Sequence, residues 1–287
     1  MPFTLSQKDS PYHHWEYLSL DTGDSLRIVP ERGGLITSWI CNGRELLYFD
    51  QLRFQDQSKS VRGGIPILFP ICGQLPGNQI FFYKNKYILK QHGFARDSSW
   101  ELNMHDESSG IKLSLSETNT SFLSYPFKFN LEIHLRLQTN SLDILVRVKN
   151  NSSYVMPFSF GLHPYFSIKD LNQVEIKEFP EECINQKTMA KSKSIDALKR
   201  IPNGIDLIAG PNHLVQLIDL VDKISLEMTT QEPFGLNVIW TDPPRKMVCL
   251  EPWTSPRNAL INGNRSIHLG SGQTKDLQCR FELNKSY

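Results

Sequence analysis

The chain has 287 residues, of which 39% are hydrophobic and 10% aromatic, enough to bury a substantial core. Its 31 Lys and Arg residues nearly balance its 30 Asp and Glu residues, so the net charge of +1 favours neither a nucleic-acid nor a membrane-surface partner. A polar start and the lack of a long apolar run predict neither a signal peptide nor a membrane span. The five cysteines are scattered without a Cys-x-x-Cys pair, which argues against a disulfide framework or zinc site and favours a cytoplasmic location.

Short runs rich in Ile, Val, Leu and aromatic residues predict β-strands along the whole chain. These runs are 25–29, 35–41, 45–49, 111–117, 129–137, 142–148, 174–176, 214–218, 224–228, 236–240, 247–250 and 277–283. Asn42-Gly43 is a strong hairpin signal between two of them. Apolar–polar alternation in 129–137 and 142–148 predicts a second hairpin with one wet face.

Helical periodicity over three turns is absent from the sequence, and the polar stretch 181–198 is interpreted as a loop. Many strands without helices predict a sandwich or a barrel. Because no linker or repeat divides the chain, we predict an all-β fold with one large antiparallel β-sandwich domain spanning residues 1–287.

The stretch 159–166 reads Ser-Phe-Gly-Leu-His-Pro-Tyr-Phe and contains one imidazole, that of His163. Pro164 disfavours helical backbone for His163 and interrupts strand pairing, so the histidine is predicted at the end of a strand. The neighbouring aromatics Phe158, Phe160, Tyr165 and Phe166 are expected to wall it. Its imidazole could transfer a proton near neutral pH. The alternative is a core histidine bonded to the backbone.

Two glycine-containing stretches also suggest a binding site. Residues 62–73 begin with Arg62-Gly63-Gly64, whose glycines allow close backbone approach beside a guanidinium that can fork onto a ligand. Residues 91–97 combine His92 with an Arg96-Asp97 pair. Ordinary surface bends with solvated charges remain the alternative for both stretches.

A second ionisable residue next to a proline is Glu251, which follows the apolar run 247–250. Like His163, it is predicted at a strand end in extended backbone, beside the large aromatic Trp253. Apolar surroundings raise the pKa of a carboxylate and can make it a base near neutral pH. A structural ion pair with Arg257 is the alternative.

Together these motifs resemble the aldose 1-epimerase (mutarotase) superfamily over nearly the whole chain. The motifs are Arg-Gly-Gly-Ile-Pro at 62–66, His-Gly-Phe-Ala-Arg at 92–96, Leu-His-Pro-Tyr-Phe at 162–166 and Glu-Pro-Trp at 251–253. They are similar to the branch that includes hexose-6-phosphate mutarotases. The resemblance implies a large β-sandwich with an open cleft on one sheet, a sugar or sugar-phosphate substrate, and neither a metal nor an organic cofactor.

The resemblance also assigns roles to individual residues. It implies that His163 is the acid, Glu251 the base, His92 a sugar-binding histidine and Arg62 a ligand-binding arginine. The sugar-binding aspartate of galactose-type members lies in a Tyr-Asp-His stretch, but this chain has Pro-Asn-His at 211–213. Asp206 is the nearest candidate, and this departure leaves the sugar specificity open.

The chemistry of anomer exchange requires a base that removes the proton of the C1 hydroxyl and an acid that protonates the ring oxygen. We assign Glu251 as the base and His163, protonated at the start, as the acid. Arg62, His92, Arg96 and Asp206 are expected to hold hydroxyls or a phosphate, and Trp240 or Phe69 to stack on the sugar. A carbohydrate-binding module without turnover is the main alternative. A glycoside-processing enzyme would need a second catalytic carboxylate.

Overall fold

Strands dominate the computed structural model, which describes residues 2–104 and 110–285. The strands are β1 (Phe3–Lys8), β2 (His14–Ser19), β3 (Ser25–Val29), β4 (Leu35–Cys41), β5 (Arg44–Glu45), β6 (Ile67–Leu68), β7 (Gln79–Phe82), β8 (Asn85–Ile88), β9 (Glu101–Met104), β10 (Ile111–Ser116), β11 (Phe129–Gln138), β12 (Ser141–Asn150), β13 (Met156–Phe158), β14 (Gly161–Leu162), β15 (Tyr165–Ser167), β16 (Val174–Lys177), β17 (Glu182–Asn185), β18 (Lys191–Lys193), β19 (Asp206–Ala209), β20 (Leu214–Asp219), β21 (Ile224–Thr230), β22 (Leu236–Trp240), β23 (Met247–Trp253), β24 (Ile267–Leu269) and β25 (Thr274–Lys285).

The helices of the described ranges are short. They are α1 (Gln51–Gln55), α2 (Asn119–Phe122), α3 (Ser194–Leu198) and α4 (Ala259–Asn262), with 3₁₀ turns at Pro76–Asn78, Ala95–Asp97, Leu171–Gln173 and Ile201–Asn203. Within residues 2–104 and 110–285, a helix with the length and hydrophobicity of a membrane span is not found.

Two eight-stranded sheets form the body of the molecule. The large sheet has the strand order β16-β20-β21-β25-β12-β11-β10-β9. The other, called here the cleft sheet, has the order β18-β17-β19-β22-β23-β14-β6, with β15 also pairing with β23. A five-stranded sheet runs β1-β2-β3-β4-β5, and the pairs β7-β8 and β13-β24 complete the fold. The strands pair antiparallel, as in β11 with β12 and β22 with β23, so the predicted all-β antiparallel sandwich is confirmed.

Alternation decides which side chains enter the core. In β11, Leu131, Ile133 and Leu135 are buried while the intervening residues are partly accessible. The edge-on ring contact between Phe166 of β15 and Phe281 of β25, with centroids 5.4 Å apart, joins the cleft sheet to the large sheet. The apolar core therefore lies between the two sheets, and the opposite face of the cleft sheet is available for a site.

Strand β23 carries this alternation into the cleft. Val248 and Leu250 belong to the main core cluster, so Cys249, Glu251 and Trp253 point to the opposite face. The prediction that Glu251 ends a strand is therefore wrong, because β23 continues through Pro252 to Trp253.

Pro252 is tolerated inside β23 because the strand pairing on one side of it is incomplete. Thr254 donates its N–H to the carbonyl of Phe160, on the β14 side of the strand. The backbone of Pro252, two residues earlier, faces the same side. On that side β23 pairs with Gly161 at Trp253 and again with Tyr165 at Cys249, so Pro252 lies just past the end of the pairing with β14, where the missing N–H interrupts no continuous ladder.

Two other strand predictions need correction. The stretch 181–198 is not a loop, because it contains β17, β18 and α3, and β17 pairs with β19 at the edge of the cleft sheet. Polar residues form these strands because an edge faces water. The predicted strand 45–49 is mostly isolated bridges, Leu47 with Phe166 and Phe49 with Gly63. The Asn42-Gly43 turn and the β11–β12 hairpin are confirmed.

Replacing Gly63 by Ala is expected to destabilise the fold by about 2–4 kcal/mol, through steric overlap and a conformation unfavourable to side chains. Gly63 has a φ of +130°, and an added Cβ would lie 2.5 Å from both the Cα of Phe49 and the carbonyl oxygen of Tyr48. Gly43→Ala is the matched control, because Gly43 also has positive φ (+71°) but open space around it. Urea unfolding should separate the two variants, and equal midpoints would contradict the steric argument.

Candidate active site

Seven of the eight side chains selected from the sequence line one cavity on the open face of the cleft sheet. They are Arg62, His92, Arg96, His163, Asp206, Trp240 and Glu251. A larger groove of about 630 Å³ lies on the outer face of the large sheet, and none of the residues selected from the sequence lines it.

The order of the strands in the cleft sheet determines the order of the site residues across the cavity. Asp206 on β19 pairs in register with Trp240 on β22, and Glu251 lies on β23 opposite Val238. His163 lies in the interruption between β14 and β15, on the far side of β23. His163, Glu251 and Asp206 therefore follow one another across the cleft sheet, with Glu251 in the middle.

His163 and Glu251 are in contact. Nε2 of His163 lies 3.4 Å from Oε1 of Glu251, with side chains 13% and 1% exposed respectively. The other carboxylate oxygen, Oε2, accepts a hydrogen bond of 3.1 Å from the indole N–H of Trp253. The alternative ion pair between Glu251 and Arg257 is not formed, because the Arg257 guanidinium donates to Gln186 instead.

Burial controls the protonation of this pair. Burial, followed by the positive charge of Arg96, lowers the pKa of His163 to about 3. Burial and the charge of Asp206 raise the pKa of Glu251 well above its ordinary range, although the Trp253 hydrogen bond opposes this. The pair therefore holds one exchangeable proton, favoured on Glu251 rather than on His163 as the sequence interpretation assumes. Transfer across the 3.4 Å gap would produce the ionised pair.

Aromatic rings surround His163, but only one of the four predicted rings is among them. The ring stacks on Tyr165 with centroids 4.7 Å apart, and the Trp240 ring meets it edge-on at 5.7 Å. Of the four expected wall residues only Tyr165 contributes, since Phe158, Phe160 and Phe166 belong to the core. Nδ1 of His163 is buried without a hydrogen-bond partner, so the alternative of a backbone-bonded core histidine is not what the geometry shows.

His92 is fixed by Gly73. The Gly73 N–H donates to Nδ1 of His92 at 3.1 Å, and the His92 N–H donates to the Gly73 carbonyl at 2.8 Å. Burial and the charge of His163 hold the pKa of His92 well below its ordinary value. The neutral ring must then carry its proton on Nε2, because Nδ1 accepts a hydrogen bond. His92 thus offers a donor at the cavity wall.

Two guanidiniums lie on the His163 side of the cavity. The Arg62 guanidinium carbon lies 5.7 Å from the centroid of the Trp240 ring. Arg96 donates to the carbonyl of Gln91 at 2.9 Å, and its Nε is 3.8 Å from the Asp97 carboxylate. The contact with Asp97 is too long for a hydrogen bond, so it does not fully engage the Arg96 guanidinium.

Gln186 and Arg257 form the opposite wall with Asp206, and sequence reasoning did not select them as site residues. Nε2 of Gln186 donates to Oδ1 of Asp206 at 2.8 Å, while Oε1 of Gln186 accepts from Arg257 at 3.4 Å. Gln186 lies within the stretch interpreted as a loop, so no pattern identified it. For Arg257 the sequence suggests only an ion pair with Glu251.

Phe69 is the one selected residue that does not reach the cavity. Its ring is fully buried in the core, 5.1 Å from the centroid of Phe129 and 5.8 Å from that of Phe158. A sugar cannot stack on it. Trp240 is the aromatic residue of the two that lines the cavity.

Three potential metal-ligand atoms, from His163, Cys249 and Glu251, lie within 4.8 Å of one another. Metal binding by cysteine requires the thiolate. Burial and the neighbouring Glu251 raise the pKa of Cys249 well above its ordinary value, which disfavours the thiolate. We therefore assign no metal to this cluster.

Comparison with known proteins identifies the family of this chain. The family model described as Aldose 1-epimerase matches residues 16–282. The chain belongs to the aldose 1-epimerase family. The family match extends from β2 to β25 and includes every cavity residue described above.

Individual relatives differ in how much of each chain they match. The solved Slr1438 protein of Synechocystis sp. PCC 6803 is 35% identical, covers 95% of this chain and 96% of its own, and superposes with a TM-score of 0.91. The galactose mutarotase related enzyme of Lactobacillus acidophilus shares the fold at 21% identity, covering 95% and 98% of the chains, with a TM-score of 0.78. The "Putative glucose-6-phosphate 1-epimerase" of Cenchrus ciliaris is 29% identical, but the match spans 50% of this chain and only 44% of that protein.

Proposed function

We propose that this member of the aldose 1-epimerase family interconverts the α and β anomers of a hexose 6-phosphate by opening and reclosing the sugar ring. The observation that carries the proposal is the contact between His163 and Glu251 at 3.4 Å, in a cavity also lined by Arg62 and Arg96. Sugar binding alone does not require a buried acid–base pair, whereas ring opening needs two such groups.

The proposed reaction uses only proton transfers. Glu251 removes the proton from the C1 hydroxyl, the C1–O5 bond breaks, and His163 donates a proton to O5. The open aldehyde rotates about the C1–C2 bond, and the two transfers then reverse as O5 attacks the other face of C1. The single proton held by the pair suffices, provided that it lies on His163 when ring opening begins.

Strand order orients the sugar in this proposal. O5 and C2 are bonded to opposite sides of C1, so placing O5 at His163 directs C2 towards β22 and Asp206. C6 is bonded to C5, which is itself bonded to O5. C6 therefore lies on the His163 side, where Arg62 and Arg96 line the cavity. A phosphate on C6 would accept charge-assisted hydrogen bonds from these guanidiniums.

Replacing Trp253 by Phe is expected to raise the pKa of Glu251, because the lost N–H donor stabilises the carboxylate. Because the shared proton favours Glu251, loss of this proton sets the alkaline limb of the kcat–pH profile, and that limb should move to higher pH by about 1 unit. Near-ultraviolet circular dichroism would check that the ring packing survives. A shift to lower pH would contradict the role of Glu251 as base.

The experiment that tests the function is anomer exchange of freshly dissolved sugars. Polarimetry and NMR exchange spectroscopy should show that the purified protein accelerates equilibration of α-glucose 6-phosphate, and more weakly that of α-glucose and α-galactose. Binding without acceleration would instead support the alternative of a carbohydrate-binding module. Release of methanol from methyl α-glucoside, which has no free C1 hydroxyl, would indicate glycoside hydrolysis.

A further inference from the structure

We infer that Gln186 is a positioning residue that holds Asp206 as the acceptor for the C2 hydroxyl of the sugar, and thereby sets discrimination at C2. The inference rests on the proposed function for the orientation of the sugar. It concerns a side chain that has no role in the proton transfers described above.

Gln186 is almost fully buried, with 3% of its surface exposed. Its hydrogen bonds join it to two other residues of the site. Its backbone N–H donates to the Asp206 carbonyl at 2.8 Å, and its side-chain N–H donates to Oδ1 of the same residue at 2.8 Å. Its amide oxygen accepts from Arg257 at 3.4 Å. These contacts fix the direction of the amide, since the nitrogen faces the carboxylate and the oxygen faces the guanidinium.

Asp206 needs this support because its surroundings oppose its charge. Burial raises the pKa of Asp206, and the hydrogen bond from Gln186 acts in the opposite direction. The bond occupies one lone pair of Oδ1 and leaves Oδ2 for a ligand. A carboxylate held in this way is a strong acceptor for a sugar hydroxyl.

The position of Asp206 identifies the hydroxyl. Asp206 and Trp240 pair in register, and Glu251 is on the next strand, so Asp206 and Glu251 lie two strands apart. Two strand spacings are about 10 Å. The side chains of Asp206 and Glu251 extend towards each other across this distance, so both can contact one sugar. With O1 at Glu251 and O5 at His163, the hydroxyl next to C1 on the Asp206 side is that of C2.

Arg257 completes the wall through a close backbone approach. A Cβ added to Gly73 would lie 2.8 Å from Cβ of Arg257, so glycine is what allows the Arg257 stem to pack there. Gly73 also holds His92. The Arg257 guanidinium then donates a hydrogen bond to Gln186 and orients its amide. Arg257 therefore acts on Asp206 through Gln186.

The test compares glucose 6-phosphate with 2-deoxyglucose 6-phosphate, using kcat/KM for anomer exchange and Kd from calorimetry. The native protein should favour the sugar with the C2 hydroxyl, and Gln186→Leu should reduce that preference by about tenfold, mainly through KM and Kd. Taking the ratio of ratios cancels the different intrinsic reactivity of the two sugars. Gln186→Glu keeps an acceptor for Arg257 but cannot donate to Asp206, so it should lose the preference as well.

Gln216→Leu is the matched control, because Gln216 on β20 also donates to a carboxylate, that of Glu227 at 2.9 Å, but lies on the large sheet. It should keep the native preference. A native-like preference in Gln186→Leu, or in Gln186→Glu, would overturn the inference. If the native protein binds both sugars without turnover, the proposed function fails, while loss of the Kd preference in Gln186→Leu would still support the role of Gln186.

Discussion

Replacing His163 by Asn or Glu251 by Gln is expected to lower kcat for anomer exchange by about 10²–10⁴-fold. Both substitutions keep the size and hydrogen-bonding shape of the side chain but remove its ability to transfer a proton at neutral pH. Because the two groups are 3.4 Å apart and share one proton, the loss in the double variant should be close to that in either single variant.

Stability measurements provide the control for this result. Glu251→Gln removes a buried acid without removing the acceptor for the Trp253 N–H, so unfolding midpoints should stay near the native value. Trp240→Phe is a useful comparison, since it alters the wall of the cavity beside His163 but leaves both proton-transfer groups in place. Near-native turnover by either His163→Asn or Glu251→Gln would remove that residue from the mechanism.

Replacing Arg96 by Ala is expected to raise KM for glucose 6-phosphate by about 10–100-fold, the loss of a hydrogen bond between two charged groups. The effect on free glucose should be small or opposite in sign. Arg96 is one of the charges that lower the pKa of His163, so its removal makes protonation of His163 easier. Initial rates with both sugars, at two salt concentrations, would measure this.

The same reasoning explains why a phosphate would assist catalysis as well as binding. Arg96 and Arg62 both disfavour the charged form of His163. A phosphate dianion that neutralises these guanidiniums would raise the pKa of His163 and draw the shared proton from Glu251. Arg147→Ala, which removes an exposed arginine paired with Asp276, is the matched control for a general charge effect. An equal loss with free glucose in Arg96→Ala would argue against a phosphate at this position.

Some of the fold follows directly from the sequence. Strands β11 and β12 are predictable because ten residues alternate between a wet face and the core, and a short turn joins them. Strands β17 and β18 are not, because edge strands exposed to water carry Lys, Ser and Glu residues that also occur in loops. Pairing with β19 decides their structure, and that contact is distant in sequence.

The site shows the same division. Prolines next to His163 and Glu251 mark both residues in the sequence, but only the fold places their side chains in contact. The sequence-based prediction for Phe69 is wrong because an aromatic in a glycine- and proline-rich stretch resembles a sugar-stacking residue, while the fold directs this ring into the core. Gln186 lacks any local signal, since its role depends on Asp206 and Arg257 reaching it from other parts of the chain.

The enclosure of the acid–base pair has a consequence for the path of protons in the proposed reaction. Glu251 is 1% exposed and the His163 side chain 13% exposed, and each group ends a cycle with the number of protons it had at the start. No proton need enter from or leave to the solvent. The hydrogen taken from O1 returns to the sugar within the same cycle, so the proposed turnover requires no proton path between the pair and bulk water.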